Sequence, residues 1–87
     1  MNIQTSLSFK DELAEIISQV VQDTTGRMVQ IRVDDRLIED GYLDSFSMIN
    51  LILEIQKTYG IEIDVTEIDE SNFGSVLRIA DFIAARR

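Results

Sequence analysis

Apolar residues near the start of the chain recur with the period of an α-helix. Between residues 8 and 23 they are separated by steps of four, three, one, three and one, and polar residues fill the opposite face. These apolar positions are Phe9, Leu13, Ile16, Ile17, Val20 and Val21. Ser8 precedes the run, and Asp11 lies three positions after Ser8. This pair resembles a capping box with Asp in place of Glu. The pattern predicts an amphipathic helix.

A long connection without a sustained helical period follows, over residues 24–40. Residues 31–33 alternate as a short strand does, but the chain offers no second strand for them to pair with. We therefore expect a loop that is anchored on the core by Ile31, Val33 and Leu37. A connection of this length indicates either a functional segment or two neighbouring helices that run roughly parallel.

The helix predicted over residues 45–59 carries two apolar stripes. One stripe, at i, i+3, i+4, i+7 and i+11, contains Met48, Leu51, Ile52, Ile55 and Tyr59. The other, at i, i+3 and i+7, contains Phe46, Ile49 and Leu53. Because a helix in so small a domain cannot easily be enclosed on every side, we assign the first stripe to the core and the second to contact with a partner protein. The alternative is that all eight residues lie in the core.

The last third of the chain predicts two further helical segments. Thr66 with Asp69 can cap a short turn that ends near residue 71, and Ser75 can cap a final helix. The apolar face of that final helix consists of Val76, Ile79, Ala80 and Ile83. We therefore expect an all-α fold, a bundle of three main helices plus one short helix before the last, in a single domain over residues 1–87.

Composition narrows the range of functions. Sixteen acidic residues against eight basic ones give a net charge of −8, which opposes binding to nucleic acid and suits encounter with basic partner proteins. The chain contains no histidine and no cysteine, so it lacks the usual general base, the soft metal ligands and a thiolate nucleophile. We therefore expect no enzymatic activity and no metal site of its own. No apolar run is long enough for a membrane span and no signal-peptide pattern is visible, so we expect a cytoplasmic protein without membrane insertion.

Ser45 is the candidate site residue because of its place at the start of the second long helix. Gly41 can turn the chain at positive φ, and Asp44 can cap the helix by accepting a hydrogen bond from a free backbone N–H. Ser45 then lies in the first helical turn, where unpaired N–H groups and the helix dipole favour a phosphate. An exposed hydroxyl there is well placed to carry a phosphodiester. The alternative is that Ser45 only helps to start the helix.

Taken together, these residues resemble the phosphopantetheine-dependent carrier proteins of acyl, aminoacyl and peptidyl groups. The family's attachment signature, Asp-Ser-Leu, reads Asp44-Ser45-Phe46 here. The resemblance covers nearly the whole domain: the first helix, the long acidic loop, and the segments at residues 41–51, 60–63 and 72–76. It implies an acyl-carrier-like bundle with the helix arrangement predicted above.

The resemblance also implies a function. A phosphopantetheinyl transferase, with magnesium, would move 4′-phosphopantetheine from coenzyme A to the Ser45 hydroxyl. The thiol of that arm would hold acyl or aminoacyl groups as thioesters, which a ligase or acyltransferase loads and a downstream synthase or transferase accepts, the carrier itself being a monomer. An unactivated serine needs a neighbouring base, and this chain has no histidine, so the transferase must supply that base.

By position in the family's motif, the resemblance implies that partner enzymes would be recognised by Asp44, Phe46, Ile49, Leu53 and Glu54. Ser47 stands where an acidic residue is common and Asn50 where Glu is frequent, so this recognition helix is less acidic than in carriers of fatty-acid synthesis. The Asp-Ser-Phe form is more typical of stand-alone carriers. We favour a specialised pathway of polyketide or nonribosomal type. D-alanyl transfer to cell-wall polymers is the alternative, and an unmodified helical adaptor is the alternative from another class of protein.

Overall fold

The structure, a computed structural model, describes residues 8–87, and that part of the chain contains helices and no β-strand. A 3₁₀ turn, Val65–Glu67, lies between the second and third helices. The α-helices are α1 (Phe9–Thr25), α2 (Ser45–Tyr59), α3 (Glu70–Phe73) and α4 (Val76–Arg86). Helix α1 packs against α2 and α4, and α3 packs against α4. The predicted bundle of three main helices with a short one before the last is confirmed.

Every helix begins at a side chain that caps it. The N-cap oxygen accepts a hydrogen bond from the backbone N–H three residues on at Ser8, Asp44, Asp69 and Ser75. These bonds satisfy N–H groups that have no acceptor within the helix. Helix α2 covers the predicted residues, whereas α1 runs to Thr25, two residues beyond the expected end, and stops at Gly26 in the left-handed conformation.

The prediction for the segment after α2 was wrong in one respect. Thr66 does not cap a helix with Asp69; instead Asp64 caps the 3₁₀ turn in a capping box with Glu67. Ile68 is extended, with φ −86° and ψ 91°, so the segment divides into the turn and a separate helix α3 capped by Asp69. Two acidic caps five residues apart therefore start two short elements where the sequence pattern suggested one.

The two stripes of α2 have separate environments, as predicted. The first stripe lies in the core: Met48, Leu51, Ile52 and Ile55 are buried and Tyr59 is half-buried. The second stripe is exposed, at 63% for Phe46 and 58% for both Ile49 and Leu53. The alternative that all eight side chains are buried is therefore excluded.

Leu37 fixes the long connection to the bundle next to the start of α2. Its side chain is fully buried, and its backbone N–H donates to the carbonyl of Gly74 at 2.8 Å, between α3 and α4. Its own carbonyl accepts from the N–H of Leu43 at 3.0 Å, one residue before the cap of α2. One loop residue thus links the α3–α4 junction to the residues that lead into α2.

Two more contacts hold the same loop without any strand pairing. The N–H of Ile31, a buried residue, donates to the Ser18 hydroxyl on α1 at 3.0 Å. The carbonyl of Val33 accepts from the N–H of Leu77 on α4 at 3.2 Å. Anchoring by Ile31, Val33 and Leu37 is therefore confirmed.

Helices α1 and α2 run antiparallel. At one end the hydroxyls of Thr24 and Ser47 are 2.6 Å apart, and at the other the rings of Phe9 and Tyr59 meet edge to face at 5.4 Å. The length of the connection therefore does not arise from two parallel helices, which was one of the two explanations considered. No helix within residues 8–87 is both long enough and apolar enough to span a membrane.

Candidate functional site

The start of α2 is built by a turn, a buried anchor and a cap in successive residues. Gly41 has φ 77°, in the left-handed region that glycine occupies without strain. Leu43 is buried and holds the chain against the core. Asp44, with φ −95° and ψ −174°, is the extended N-cap, and Ser45 is the first helical residue. The prediction that Ser45 lies in the first turn of this helix is confirmed.

Ser45 is exposed, and its hydroxyl makes none of the side-chain hydrogen bonds found within residues 8–87. Its position at the N-terminus of a helix of 15 residues places it among backbone N–H groups that lack intrahelical acceptors. These groups and the positive end of the helix dipole favour an anion at this point. A hydroxyl with these properties fits a phosphodiester that extends away from the protein.

The carboxylate of Asp44 caps the helix and is not hydrogen-bonded to the Ser45 hydroxyl. Its Oδ1 accepts a hydrogen bond from the backbone N–H of Ser47 at 2.8 Å. That bond, with a further contribution from the Ser47 hydroxyl, holds the pKa of Asp44 below its ordinary value. The carboxylate is therefore ionised at neutral pH and serves as a cap. The chain has no histidine that could serve as a general base at this hydroxyl.

The residues predicted to recognise partners lie together on the exposed side of α2. Phe46, Ile49 and Leu53 share one face, because they are spaced by three and four residues. Asp44 is exposed at one end of this strip, and Glu54 is half-buried at the other. We call Phe46, Ile49 and Leu53 the apolar strip. It begins one residue after Ser45, so a protein that covers it also reaches the Ser45 hydroxyl.

Ser47 has a different position from the one its place in the motif suggested. The resemblance places it on the recognition helix, as a substitute for an acidic residue, but its side chain is fully buried. Its hydroxyl faces that of Thr24 at the end of α1, at 2.6 Å. The helical period contained this information, since Ser47 precedes the core residue Leu51 by four positions. Asn50, by contrast, is half-buried on the outer side and donates to the carbonyl of Phe46 at 2.9 Å.

A metal centre is not supported by the described part of the chain. Within residues 8–87, no group of three or more carboxylate, histidine or cysteine side chains is placed to hold a metal ion. The acidic residues are mostly spread over the surface or used as helix caps. The chemistry present at the start of α2 is that of a single exposed hydroxyl beside an apolar strip.

The helical bundle and the exposed hydroxyl at the start of α2 are compatible with the carrier-protein family that the sequence resembles. A family model described as "Phosphopantetheine attachment site" matches residues 11–83. The chain belongs to this family and is a carrier protein that bears covalently attached 4′-phosphopantetheine.

The similar proteins include named carriers of one aminoacyl group. D-alanyl carrier protein 2 of Lactiplantibacillus plantarum is 32% identical over 75 residues, which cover 86% of this chain and 94% of the relative. The D-alanyl carrier protein of Bacillus velezensis is 29% identical over 69 residues, 79% of this chain and 85% of the relative. Among solved structures, a chain in "Crystal structure of FAD-dependent dehydrogenase" matches with TM-score 0.70 and 30% identity, over 82% of this chain and 97% of that chain.

Proposed function

We propose that Ser45 is the residue to which the 4′-phosphopantetheine arm is attached. The observation that supports this most directly is the exposed Ser45 hydroxyl in the first turn of α2, inside the residues that the family model matches. Asp44 caps that turn and leaves the hydroxyl free. When bound, the arm supplies a terminal thiol that holds acyl or aminoacyl groups as thioesters. The chain contributes presentation of that arm and no turnover of its own.

Mapping the modified residue tests this assignment. The protein is incubated with coenzyme A, magnesium and a broad-specificity phosphopantetheinyl transferase, digested, and fragmented in a mass spectrometer. We expect one phosphopantetheine per chain, on the peptide that contains Ser45 and on that residue within it. An arm on any other serine contradicts the assignment.

We propose that the apolar strip, with Asp44 and Glu54 at its ends, is the surface that partner enzymes contact. More than half of each side chain in the strip is exposed, so a partner that covers it removes apolar area from water at about 25 cal/mol per Å². Phe46→Ala and Leu53→Ala remove parts of this area without touching the core. Both should raise the KM of the transferase for the carrier several-fold.

A matched control exists on another helix. Leu77 on α4 is also an exposed leucine, at 38%, and lies outside the strip. Leu77→Ala should leave the transferase kinetics unchanged, and all three variants should melt near the temperature of the parent protein. Equal kinetics for Leu53→Ala and Leu77→Ala contradict a recognition role for the strip.

For the cargo, we propose a D-alanyl group. The support is the set of D-alanyl carrier proteins to which the chain is similar over most of their lengths. This favours the D-alanyl role over the polyketide or nonribosomal-type pathway that the sequence analysis preferred. The partners would then be a ligase that activates D-alanine and a transferase that accepts it, in a cytoplasmic setting. The test is to supply the modified carrier with ATP, D-alanine and such a ligase, and to look for one alanyl group by intact mass, with L-alanine as control.

A second candidate cargo is a substrate of a flavin-dependent dehydrogenase. It is favoured by the 30% identity with a chain in the dehydrogenase structure. The two candidates separate in a parallel loading experiment, in which the modified carrier is offered D-alanine or another amino acid, each with a ligase that activates it. Loading of D-alanine alone supports the first candidate, and loading of another amino acid alone contradicts it.

A further inference from the structure

Among residues 8–87, Ser47 is the only polar or charged residue that is buried as a whole, and it lies in the same turn as Ser45. A buried hydroxyl is costly unless it is hydrogen-bonded, so its partner is informative. That partner is the hydroxyl of Thr24, 2.6 Å away and 23 positions earlier in the chain. The contact joins the last turn of α1 to the first turn of α2.

The hydrogen bonds around this pair form a connected chain. The Thr24 hydroxyl also lies 2.8 Å from the carbonyl of Val20. Because a hydroxyl carries a single proton, Ser47 donates to Thr24 whenever Thr24 donates to Val20. In the opposite order Thr24 donates to Ser47 and does not donate to Val20. Both orders keep the two hydroxyls bonded to each other.

The contact lies on the side of α2 opposite to Ser45. Successive residues of an α-helix are separated by about 100° around its axis, so Ser45 and Ser47 lie about 200° apart. When Ser47 faces α1, Ser45 faces away from the bundle, and it is indeed exposed. Phe46 is exposed too, whereas Ser47 and Met48 are buried, so Ser47 is one of the two inward contacts of the first turn.

We infer that Thr24 and Ser47 are positioning residues for modification of Ser45: their paired hydroxyls fix the rotation of the first turn of α2 against the end of α1. The inference rests on Ser45 being the attachment residue. It assigns a role to two side chains that lie outside the proposed recognition surface. Loss of either hydroxyl leaves the apolar strip in place but lets the turn that carries Ser45 move.

The experiment compares variants that keep shape and lose the hydroxyl. These are Thr24→Val and Ser47→Ala, with Thr25→Val as the matched control. Thr25 lies at the same end of α1 and its hydroxyl donates to the carbonyl of Val21 at 2.6 Å, but it is exposed. The readouts are kcat and KM for phosphopantetheinyl transfer from coenzyme A, and amide hydrogen exchange at the start of α2.

We expect Thr24→Val and Ser47→Ala each to lower kcat at least threefold with KM within twofold, because the apolar strip is unchanged. Exchange of the Ser47 amide should become faster in both. The double variant should be no slower than the slower single variant, since the two hydroxyls act as one unit. Thr24→Ser, which keeps the hydroxyl, should restore kcat to within twofold, and Thr25→Val should match the parent protein.

Rates within twofold of the parent for both Thr24→Val and Ser47→Ala overturn the inference, as does an equal loss in Thr25→Val. If Ser47→Ala does not fold, Thr24→Val carries the same test at a residue that is only half-buried. Failure of the proposed function gives a different result, because the parent protein would then be modified elsewhere than on Ser45 or not at all.

Discussion

The substitution Leu37→Ala tests whether the long loop is a structural part of the bundle. Leu37 lies in a segment without helix or strand, yet its side chain is fully buried. Its backbone bonds to Gly74 and Leu43 connect the α3–α4 junction to the residue before the cap of α2. Truncation to alanine leaves a cavity in the core, which the surrounding residues fill only in part.

The expected loss is large relative to the stability of so small a domain. Leucine-to-alanine substitutions at buried sites cost about 2–5 kcal/mol, from lost burial and the cavity that remains. At roughly 0.05–0.15 kcal/mol per residue, a chain of 87 residues has a free energy of unfolding of about 4–13 kcal/mol. A loss of about 3 kcal/mol lowers the melting temperature of a domain of this size by about 12–24 °C.

The measurement is urea unfolding followed by circular dichroism, with the melting temperature as a second readout. Ile38→Ala is the matched control, because Ile38 is the next residue and is 36% exposed. Its cost should stay below about 1 kcal/mol, with an unchanged dependence on urea. If Leu37→Ala and Ile38→Ala cost the same, the loop is not anchored as described, and the account of how it leads into α2 is refuted.

Two further predictions concern ionisation and a buried hydroxyl. The backbone N–H of Ser47 lowers the pKa of Asp44, and the backbone N–H of Thr66 lowers the pKa of Asp64. These caps therefore stabilise the fold at pH values above the ordinary carboxyl pKa, and they lose that contribution as the pH falls through the lowered pKa values. The melting temperature should therefore fall as the pH is lowered below about 4. The fall should be smaller in the double variant Asp44→Asn/Asp64→Asn, whose caps do not titrate. An equal fall in the two proteins contradicts this cause. The Tyr59 hydroxyl is buried and has no hydrogen-bond partner within residues 8–87, so Tyr59→Phe should raise the free energy of unfolding by about 1 kcal/mol in urea titrations, and a clear loss of stability would show a missed partner.

Much of the fold follows from local patterns that the sequence displays directly. The two apolar stripes lie on different faces of α2. One face is buried and the other is exposed, because so small a domain can cover only one side of this helix. Asp44 and Ser75 are cap residues in sequence and in structure, since a capping side chain needs only the backbone three residues away. Such features depend on neighbours in the chain.

The features that the sequence did not show depend on contacts between distant residues. Nothing near Thr24 in the sequence indicates that its hydroxyl meets Ser47, because the contact exists only once α1 and α2 lie antiparallel. The family's motif commonly has an acidic residue at the position of Ser47, and it therefore gives no sign that this serine is buried. The choice of Asp64 over Thr66 as a cap depends on Ile68 adopting an extended conformation, which a short apolar pattern does not predict.

The substitution Ser45→Ala, which removes a single hydroxyl oxygen, tests most directly the claim that Ser45 carries the arm. The parent protein, Ser45→Ala and Ser71→Ala are each incubated with coenzyme A, magnesium and a phosphopantetheinyl transferase, and intact masses are compared; Ser71 is another exposed serine and serves as the control. The account predicts that the parent protein and Ser71→Ala each gain one phosphopantetheine, while Ser45→Ala gains none and still folds. A phosphopantetheine adduct on Ser45→Ala would contradict it.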